Sequence, residues 1–445
     1  MPSAYQAYGG AIYGDSSSTI TLSGNGSVTF SGNTASGSPS GSGGAIYGSS
    51  TSTITLNNNG SVTFSGNTAE ATSSSSSAYG GAIYSSGNLN IRNNDSVEFY
   101  QNAEVRAGSY RLRSIYAKGS EKIISFSAAE GKNITFRDSV YIASGNTLNL
   151  NETYGDREQK GDIIFTGATT VNDLYMVKGN VDGTEEEIQA SRTSEVHSAV
   201  HLYGGRLRVE EQAVLKTTAG LAVAADSNAT VTIDHAELDA GTSDITIGAT
   251  GRLELSNGAI VRANEIIIDD EATLALSCTD WQTRATFALS EAVAAGTTAY
   301  NTGNTVVIDG DLTLNGGATL VADHAHGCMT EGSVLTFNAS DEKKINLVLT
   351  WGMVYEPDVP ITLFTGVESM RFIYNETELT DSTAVNPGDF FTGAWINEST
   401  TFTYDAEAGA FWVMNVNSLS IPEPTTTTLG LLALAGLAAR RRRLA

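Results

Sequence analysis

The feature that most constrains this chain is a five-residue sequence, Gly-Gly-Ala-Ile-Tyr, that occurs three times near its beginning. The copies lie at 9–13, 43–47 and 80–84, so they begin 34 and then 37 residues apart. A period of this length is typical of stacked architectures, in which each unit buries its apolar face only against its neighbours. The repeat therefore predicts a solenoid.

Each repeat unit contains three short stretches in which apolar and polar residues alternate. In the first unit they lie at 11–13, 20–22 and 28–30, and the units differ in length where turns are expected, as in the serine run at 73–77. Three strands joined by Gly, Asn and Ser turns fit one coil of a three-sided parallel β-helix. We therefore predict an all-β, right-handed parallel β-helix over about residues 9–340, with about 10 to 15 coils and a length of about 50 to 75 Å.

An aromatic residue and an asparagine recur at fixed positions of the unit. The aromatic residues are Phe30, Phe64 and Phe99, and the asparagines are Asn33, Asn67 and Asn102. Stacked coils would place the rings in an inward-facing ladder and the amides in a second ladder, each amide donating to the next. We expect Asn57 and Asn58, by contrast, in an exposed turn.

The glycines have two other interpretations. In a β-sandwich, Gly-Gly pairs and asparagines would simply mark turns, but a sandwich does not require its turns to repeat in sequence. A phosphate-binding loop is disfavoured because no glycine-rich segment precedes a helix and no lysine lies beside one.

Charge excludes one class of partner. The chain has 25 Lys and Arg against 49 Asp and Glu, a formal charge of −24, so nucleic acid is not an expected partner. Residues 1–91 contain no Lys, Arg or His, and only Asp15 and Glu70 are acidic.

The cysteines and histidines do not form a recognisable metal motif. Cys278 and Cys328 are far apart in sequence and would be able to form a disulfide in an exported protein, although two cysteines do not make a disulfide framework. The run 324–328 (His-Ala-His-Gly-Cys) resembles the first half of a metal site, but no second half follows. A turn is the better interpretation, and we expect no metal and no cofactor.

Beyond the repeats the strand rhythm continues in weaker form. Alternating stretches such as 229–233 and 251–255 extend it to about residue 340, where tryptophans and prolines become frequent. A solenoid needs an end cap to cover its last coil. The predicted organisation is a repeat region at 1–118, a degenerate continuation of the β-helix at 119–340, a β-rich cap or small β-domain at 341–420 and a tail at 421–445.

The tail has three parts in order. Pro422, Glu423 and Pro424 precede an apolar stretch at 425–439, which is followed by four arginines, Arg440, Arg441, Arg442 and Arg443. The apolar stretch suits a short C-terminal transmembrane helix, although it is shorter than the about 20 residues that span a bilayer comfortably, and the arginines would remain on the cytoplasmic side.

This arrangement resembles the PEP-CTERM sorting signal. The resemblance implies an exported protein, attached transiently to the inner membrane and then processed by an exosortase that recognises Pro422, Glu423 and Pro424. No N-terminal signal sequence precedes the first repeat. We expect the natural start of the protein to lie upstream.

The paired GGAI and F-x-x-N signals, together with 133–167, resemble the repeats and middle region of chlamydial polymorphic outer-membrane proteins (Pmp). That resemblance covers about residues 9–170 and implies a β-helical, adhesive passenger domain. In that family a C-terminal autotransporter barrel displays the passenger, whereas here the sorting tail indicates display by a different route.

Parallel β-helices also include polysaccharide lyases and hydrolases, whose sites gather carboxylates and a base on one face. The candidates for such a site are Asp234 with His235, Asp269 with Asp270 and Glu271, and either Arg252 or Arg262. Acidic residues at strand ends are more often turn residues. We therefore expect a non-catalytic structural or adhesive surface protein, with an extracellular polysaccharide or a host surface as partner, and keep a carbohydrate-active enzyme as the alternative.

Overall fold

The strands of this protein stack in parallel, coil upon coil. The computed structural model describes residues 5–73, 76–155, 157–277, 305–323, 326–349, 360–379 and 386–416. Strands one repeat apart pair in parallel and in register, so that Phe30 lies opposite Phe64, and Ile46 opposite Ile83. The described chain is therefore an all-β parallel solenoid, as predicted, and the sandwich interpretation is wrong.

Each coil contributes one strand to each of three stacks, which we call the first, second and third stack. The first stack consists of Ile12–Gly14, Ile46–Gly48, Ile83–Ser85, Ser109–Ala117, Ser139–Ile142, Thr193–Val196, Val214–Thr217, Glu237–Asp239, the beginnings of Ile260–Ile268 and Thr305–Asn315, His326–Met329 and Ile361–Thr365. The second stack consists of Thr19–Ser23, Thr53–Asn57, Asn88–Arg92, Ile123–Ser127, Thr147–Leu150, Ala199–Leu202, Leu221–Val223, Ile245–Ile247, the ends of the same two long strands, Val334–Ala339 and Ser369–Tyr374.

Among the described residues, the third stack forms a separate sheet of twelve strands. They are Ser27–Ser31, Ser61–Ser65, Ser96–Tyr100, Asn133–Phe136, Asp162–Thr166, Arg206–Glu210, Thr230–Asp234, Arg252–Ser256, Thr273–Ser277, Thr319–Asp323, Ile345–Leu349 and Phe391–Thr392. The first three coils add a fourth stack (Thr34–Gly37, Thr68–Ala71, Ala103–Arg106) and an outer sheet (Ala7–Tyr8, Gly41–Ser42, Ala78–Tyr79).

Strand alternation places one face of every stack inside. In Thr53–Asn57, for example, Ile54 and Leu56 are fully buried while Thr53 and Thr55 are partly exposed. The inward residues of all coils form one continuous apolar core that extends from Phe30 to Val416. Because each coil buries its apolar side chains against the next, the fold needs no other layer.

The paired glycines of the repeat mark the tightest contact between coils. A Cβ atom on Gly44 would lie 2.0 Å from the carbonyl oxygen of Gly81 in the next coil, and one on Gly10 would lie 2.1 Å from that of Gly44. Gly43 adopts a positive φ of 64°, a conformation that side chains disfavour. The Gly-Gly pair is therefore required by close packing and by a left-handed turn.

Two helices interrupt the solenoid between the fifth and sixth strands of the third stack. Helix α1 spans Thr170–Val177 and α2 spans Glu185–Arg192. They pack on the antiparallel hairpin of Ala103–Arg106 and Ser109–Ala117. The repeat does not predict these helices, because their segment contains no copy of it.

Helix α2 also covers the open edge of that hairpin. The backbone N–H of Tyr110 donates to Glu187 Oε1, and that of Leu112 donates to Ser191 Oγ, both at 2.9 Å. Lys178 Nζ lies 2.7 Å from Glu187 Oε2. Because an uncovered strand edge readily pairs with other chains, these contacts protect the hairpin.

Antiparallel strands close the described C-terminal part. Ala410–Met414 pairs with both Thr401–Asp405 and Ile361–Thr365, and Thr377–Leu379 pairs with Ser369–Tyr374. A short helix, α3 (Pro387–Phe390), precedes the last strand of the third stack. The apolar stretch expected to form a membrane helix, at 425–439, lies outside the described residues, and no helix within them has the length and hydropathy needed to cross a bilayer.

Candidate binding surface

The phenylalanines of the third stack form a column inside the solenoid. The ring centroids of Phe30 and Phe64 are 4.9 Å apart and those of Phe64 and Phe99 are 4.8 Å apart, all stacked. Phe64 and Phe99 are fully buried. The column continues through Phe136 and Phe165, beyond the region where the repeat is readable. Each ring covers its neighbour, so the column opposes slippage between coils.

The structure also brings the predicted asparagines together. Asn33 donates from its backbone N–H and from Nδ2 to Asn67 Oδ1, at 3.0 and 2.8 Å, and Asn67 Nδ2 donates to Asn102 Oδ1 at 2.8 Å. Asn67 Nδ2 also donates to the carbonyl of Phe30, and Asn102 Nδ2 to that of Phe64. Each buried amide thus ties its coil to both neighbours.

The ladder ends on a carboxyl group. Asn102 donates from its backbone N–H and from Nδ2 to Asp138 Oδ2, at 3.0 and 2.8 Å. Asp138 is only 2% exposed, and its Oδ1 has no hydrogen-bond partner among the described residues. Burial raises the pKa of Asp138 to about 7, although the hydrogen bonds from Asn102 lower it in part. Asp138 therefore takes the place of an asparagine in the ladder, and its carboxyl group is hard to ionise.

A second amide ladder was not predicted. Asn25 Nδ2 donates to Asn59 Oδ1 at 3.0 Å, and Asn59 Nδ2 donates to Asn94 Oδ1 at 2.9 Å. The recurrence of asparagine two residues before each of the first three third-stack strands was the available signal. The expectation of an exposed turn is correct for Asn58 but wrong for Asn57, which is 8% exposed and donates to the hydroxyl of Tyr154 at 3.2 Å.

A second aromatic column runs along the outside of the first stack. Its members, which share one register position, are Tyr13, Tyr47, Tyr84, Tyr116 and Tyr141. Successive ring centroids are 5.4, 4.9, 6.0 and 4.4 Å apart, with interplanar angles of 12°, 3°, 7° and 17°. The sequence signal for this column is the tyrosine that ends each Gly-Gly-Ala-Ile-Tyr repeat. Because this tyrosine follows the buried isoleucine in a strand, its side chain lies on the outer face.

Two further tyrosines lie beside this column on the outer sheet. The ring of Tyr8 is 4.5 Å from that of Tyr47, and the ring of Tyr79 is 4.6 Å from that of Tyr116, both tilted. The strand between them carries Ser42 at the same position. We call the five-ring column together with Tyr8 and Tyr79 the tyrosine face.

The tyrosine face is exposed mainly at its N-terminal end. The side chain of Tyr13 is 53% exposed and that of Tyr8 is 37% exposed, whereas Tyr84 is buried. Burial raises the pKa of Tyr47 to about 12 and raises that of Tyr116 as well. The phenol groups of Tyr47 and Tyr116 are therefore protonated at neutral pH and able to donate hydrogen bonds.

Among the described residues, the cations beside the tyrosine face lie at its other end, where the Nζ of the exposed Lys118 is 5.6 Å from the ring centroid of Tyr79. The guanidinium of Arg113 lies 5.5 Å from the ring centroid of Tyr116 and 5.1 Å from that of Tyr141. Arg113 is also paired with Glu104 at 3.0 Å and Glu195 at 2.9 Å. Because it is 5% exposed and held by two carboxylates, Arg113 is a structural cation.

The residues considered for catalysis lie at different corners of the coil. Asp234 ends a third-stack strand and accepts from Ser256 Oγ at 3.0 Å, whereas 269–271 precedes a third-stack strand. Thr230 pairs with Arg252, and Arg252 pairs with Thr273, so these third-stack strands begin at the same level. Asp234 and the segment 269–271 therefore lie at opposite ends of the strands, about 13 Å apart along the strand direction.

The candidate bases are engaged by neighbouring acids. Arg252 pairs with Glu254 of its own strand, and Arg262 pairs with Glu237 at 3.0 Å and with Asp309. Asp270 pairs with Lys343, and Asp269 accepts from Asn315 Nδ2 at 3.1 Å. His235, with a positive φ of 50°, occupies a turn. The described structure does not bring these candidates into one cluster.

Several predicted sites lie wholly or partly outside the described residues. These are Cys278, His324, the motif residues Pro422, Glu423 and Pro424, and the arginines Arg440, Arg441, Arg442 and Arg443. His326 and Cys328 lie on one strand of the first stack. Within the described ranges no group of three or more His, Cys, Asp or Glu side chains is placed to hold a metal ion.

Comparison with known proteins supports both resemblances. Residues 420–443 match the sequence model of the PEP-CTERM protein-sorting motif, and residues 27–49 match that of the Chlamydia polymorphic membrane protein (Chlamydia_PMP) repeat. No curated protein and no solved structure matches the chain. The chain thus carries a PEP-CTERM sorting motif and a Pmp-type repeat, and the two together indicate a protein exported to the cell surface and sorted through its C-terminal region.

Proposed function

We propose that this chain is a structural or adhesive protein of the cell envelope, outer surface or extracellular matrix, and that an exosortase processes its tail. The observation that carries the proposal is the match of 420–443 to the sorting motif. It contains the Pro-Glu-Pro sequence at 422–424, an apolar stretch and four arginines, in the order that sorting requires. The apolar stretch would provide transient attachment to the inner membrane before cleavage.

The solenoid suits display of a passive surface. Its coils are held together by ladders of Phe and Asn side chains that repeat along the axis, and so it forms an extended scaffold. We propose that the coils wind in the right-handed sense, because nearly all parallel β crossovers do. Such a scaffold presents similar side chains at regular intervals, which favours attachment to a repetitive partner.

We propose that the protein is not an enzyme. The arrangement of the candidate carboxylates supports this, because Asp234 and Asp269 border opposite ends of third-stack strands and the nearby arginines are paired. Hydrolases and lyases need an acid and a base on the same scissile bond. We expect no release of reducing ends or of unsaturated products from a panel of neutral and acidic polysaccharides.

Surface display can be tested in a host that has an exosortase. The chain, supplied with an N-terminal signal sequence, is produced in that host and in the same host without the exosortase gene. We expect antibodies against residues 41–73 to label intact cells, or the medium to contain the protein, only when the exosortase is present. Equal labelling in both hosts would contradict exosortase-dependent display.

A variant with alanines at 422–424 provides the matched test on the substrate side. We expect this variant to remain in the inner membrane of the exosortase-containing host. A variant with alanines at 426–428, outside the Pro-Glu-Pro sequence, is the control and should be displayed normally. Normal display of the 422–424 variant would overturn the proposed role of that sequence.

A further inference from the structure

We propose that the tyrosine face binds an uncharged linear polysaccharide, whose chain lies along the solenoid axis. This inference rests on the proposed surface location and names the ligand class and the binding site. No residue of the tyrosine face belongs to the sorting motif or to the candidate catalytic groups, so it is a separate site.

The shape of the tyrosine face matches a linear polymer. Its rings repeat once per coil over five coils, at centroid distances between 4.4 and 6.0 Å, along a single line. Tyr8 and Tyr79 add two tilted rings beside that line, separated by the strand that carries Ser42. Tyr84 is buried, whereas Tyr8 and Tyr13 are exposed and the other rings are partly exposed. A ligand with repeating units can therefore contact rings on several coils, and such weak contacts strengthen one another when they are linked.

The chemistry of the face matches sugar rings. Tyrosine combines a rigid apolar ring with a hydroxyl group, so it can cover an apolar C–H surface and donate a hydrogen bond at the same time. Pyranose rings carry both kinds of surface. Tyr13 and Tyr8 expose ring area to solvent. The turns that follow Tyr13 and Tyr47 in the chain, at 14–19 and 48–53, consist of Gly, Ser and Thr apart from Asp15. These turns add hydroxyl groups at the border of the site.

Charge distinguishes this ligand from other polymers. Residues 1–91, which supply Tyr8 and Tyr13, contain no Lys, Arg or His, and the cations beside the face, Lys118 and Arg113, lie at its other end. An acidic polysaccharide or a nucleic acid would therefore find no cation from 1–91 beside the exposed rings. The formal charge of −24 on the whole chain repels such polymers further. Protein interfaces also combine an aromatic centre with a polar border, so a protein is the competing partner that the test must separate. Among polysaccharides, the lack of a cation beside the exposed rings favours an uncharged glycan.

Ser42 provides a substitution that the fold already tolerates. Because Tyr8, Ser42 and Tyr79 occupy one register position, the double variant Tyr8→Ser and Tyr79→Ser gives all three outer strands the same side chain. Tyr175→Ser is the control, since Tyr175 is 38% exposed and belongs to helix α1 rather than to a strand of the tyrosine face. Circular dichroism melting curves verify that each variant is folded. If the double variant does not fold, Tyr13→Ser at the exposed end of the column replaces it.

The test is affinity gel electrophoresis of the full chain in gels that contain a mixed-linkage β-glucan, a galactomannan or alginate. We expect at least one neutral polymer to retard the wild type and alginate to have no effect. The double variant should bind that polymer about tenfold more weakly, as expected for the loss of two aromatic contacts, while Tyr175→Ser should match the wild type. Equal retardation of the double variant and the wild type would overturn the proposal.

Two other outcomes would also overturn it. One is binding of alginate in preference to both neutral polymers. The other is that neither neutral polymer retards the wild type, and that cells displaying the wild type, but not cells displaying the double variant, attach to protein-coated surfaces. Either outcome leaves export and sorting untouched, because those depend on the tail and are measured separately by display in the two hosts.

Discussion

The side-chain amide of Asn102 donates a 2.8 Å hydrogen bond to the buried carboxyl group of Asp138. At the preceding steps of this ladder the acceptor is another asparagine, whose Nδ2 donates in turn to a phenylalanine carbonyl one coil earlier. Asp138 has an oxygen where that Nδ2 would be, and this oxygen has no partner within the described structure. Burial with one unpartnered oxygen favours the neutral form of Asp138, although the two hydrogen bonds from Asn102 favour the ionised form in part.

The first prediction is that Asp138 makes stability depend on pH. Burial raises its pKa from 3.8 in the unfolded chain to about 7 in the folded protein. The folded state therefore binds more protons between these values, so the contribution of Asp138 is fully present below pH 4 and is lost as the pH rises through 7. Asp138→Asn should remove this dependence and stabilise the protein at pH 8 by about 2 kcal/mol or more.

Urea unfolding of both proteins at pH 5 and pH 8 measures this effect. The drop in the free energy of unfolding between the two pH values should be smaller in Asp138→Asn than in the wild type. Other titrating groups, such as Glu210, whose pKa burial also raises, are present in both proteins, so their effects on stability cancel in this comparison. Parallel pH profiles of the two proteins would show that Asp138 is ionised in the folded state.

The second prediction concerns the middle of the asparagine ladder. Asn67→Leu removes the hydrogen bonds that the Asn67 side chain accepts from Asn33 and donates to the carbonyl of Phe30 and to Asn102 Oδ1. An unsatisfied buried polar group costs about 1 to 3 kcal/mol, so we expect a loss of about 3 kcal/mol in the free energy of unfolding. The matched control is Asn90→Leu, since Asn90 lies between two buried residues of a strand and is itself only partly buried. Equal losses at Asn67 and Asn90 would refute the ladder as a source of stability.

The third prediction tests the close contact between coils at the glycine pairs. A Cβ on Gly44 would lie 2.0 Å from a backbone oxygen, whereas a Cβ on Gly26 would meet no atom within 4 Å. We expect Gly44→Ala to lower the melting temperature strongly, because two backbones would have to separate. Gly26→Ala should be neutral or slightly stabilising, because it reduces the freedom of the unfolded chain. Comparable melting temperatures for the two variants would argue against the packing role of Gly44.

The repeats explain which parts of the fold were predictable. Phe30, Phe64 and Asn67 recur at a fixed spacing because a parallel stack places equivalent residues in contact, so a local pattern specified long-range pairing. Asp138 and Phe136 continue the same columns without a readable repeat, because the column requires only a compatible side chain at that register position. The sequence similarity between repeat units therefore ends at an earlier residue of the chain than the stack of coils does.

The parts that were missed depend on contacts with no period. Helix α2 is positioned by Glu187 and Ser191, which satisfy the N–H groups of Tyr110 and Leu112 in a hairpin that occurs once. Nothing in the local sequence around Ser191 indicates the strand edge that it would cover. The tyrosine face has a different origin: alternation predicts only that Tyr13 lies in a strand, whereas stacking follows from the recurrence of this outward residue in each repeat.

The central claim is that the tail of this chain is cleaved as a sorting signal, and the mass of the mature C-terminus tests it most directly. The chain, with an N-terminal signal sequence, is purified from the envelope or medium of an exosortase-containing host, and its C-terminal peptide is identified by mass spectrometry. We predict a peptide that ends near Pro422–Pro424 and lacks Arg440 to Arg443. Mature protein that retains the four arginines would contradict the claim and would make the tail a plain membrane anchor.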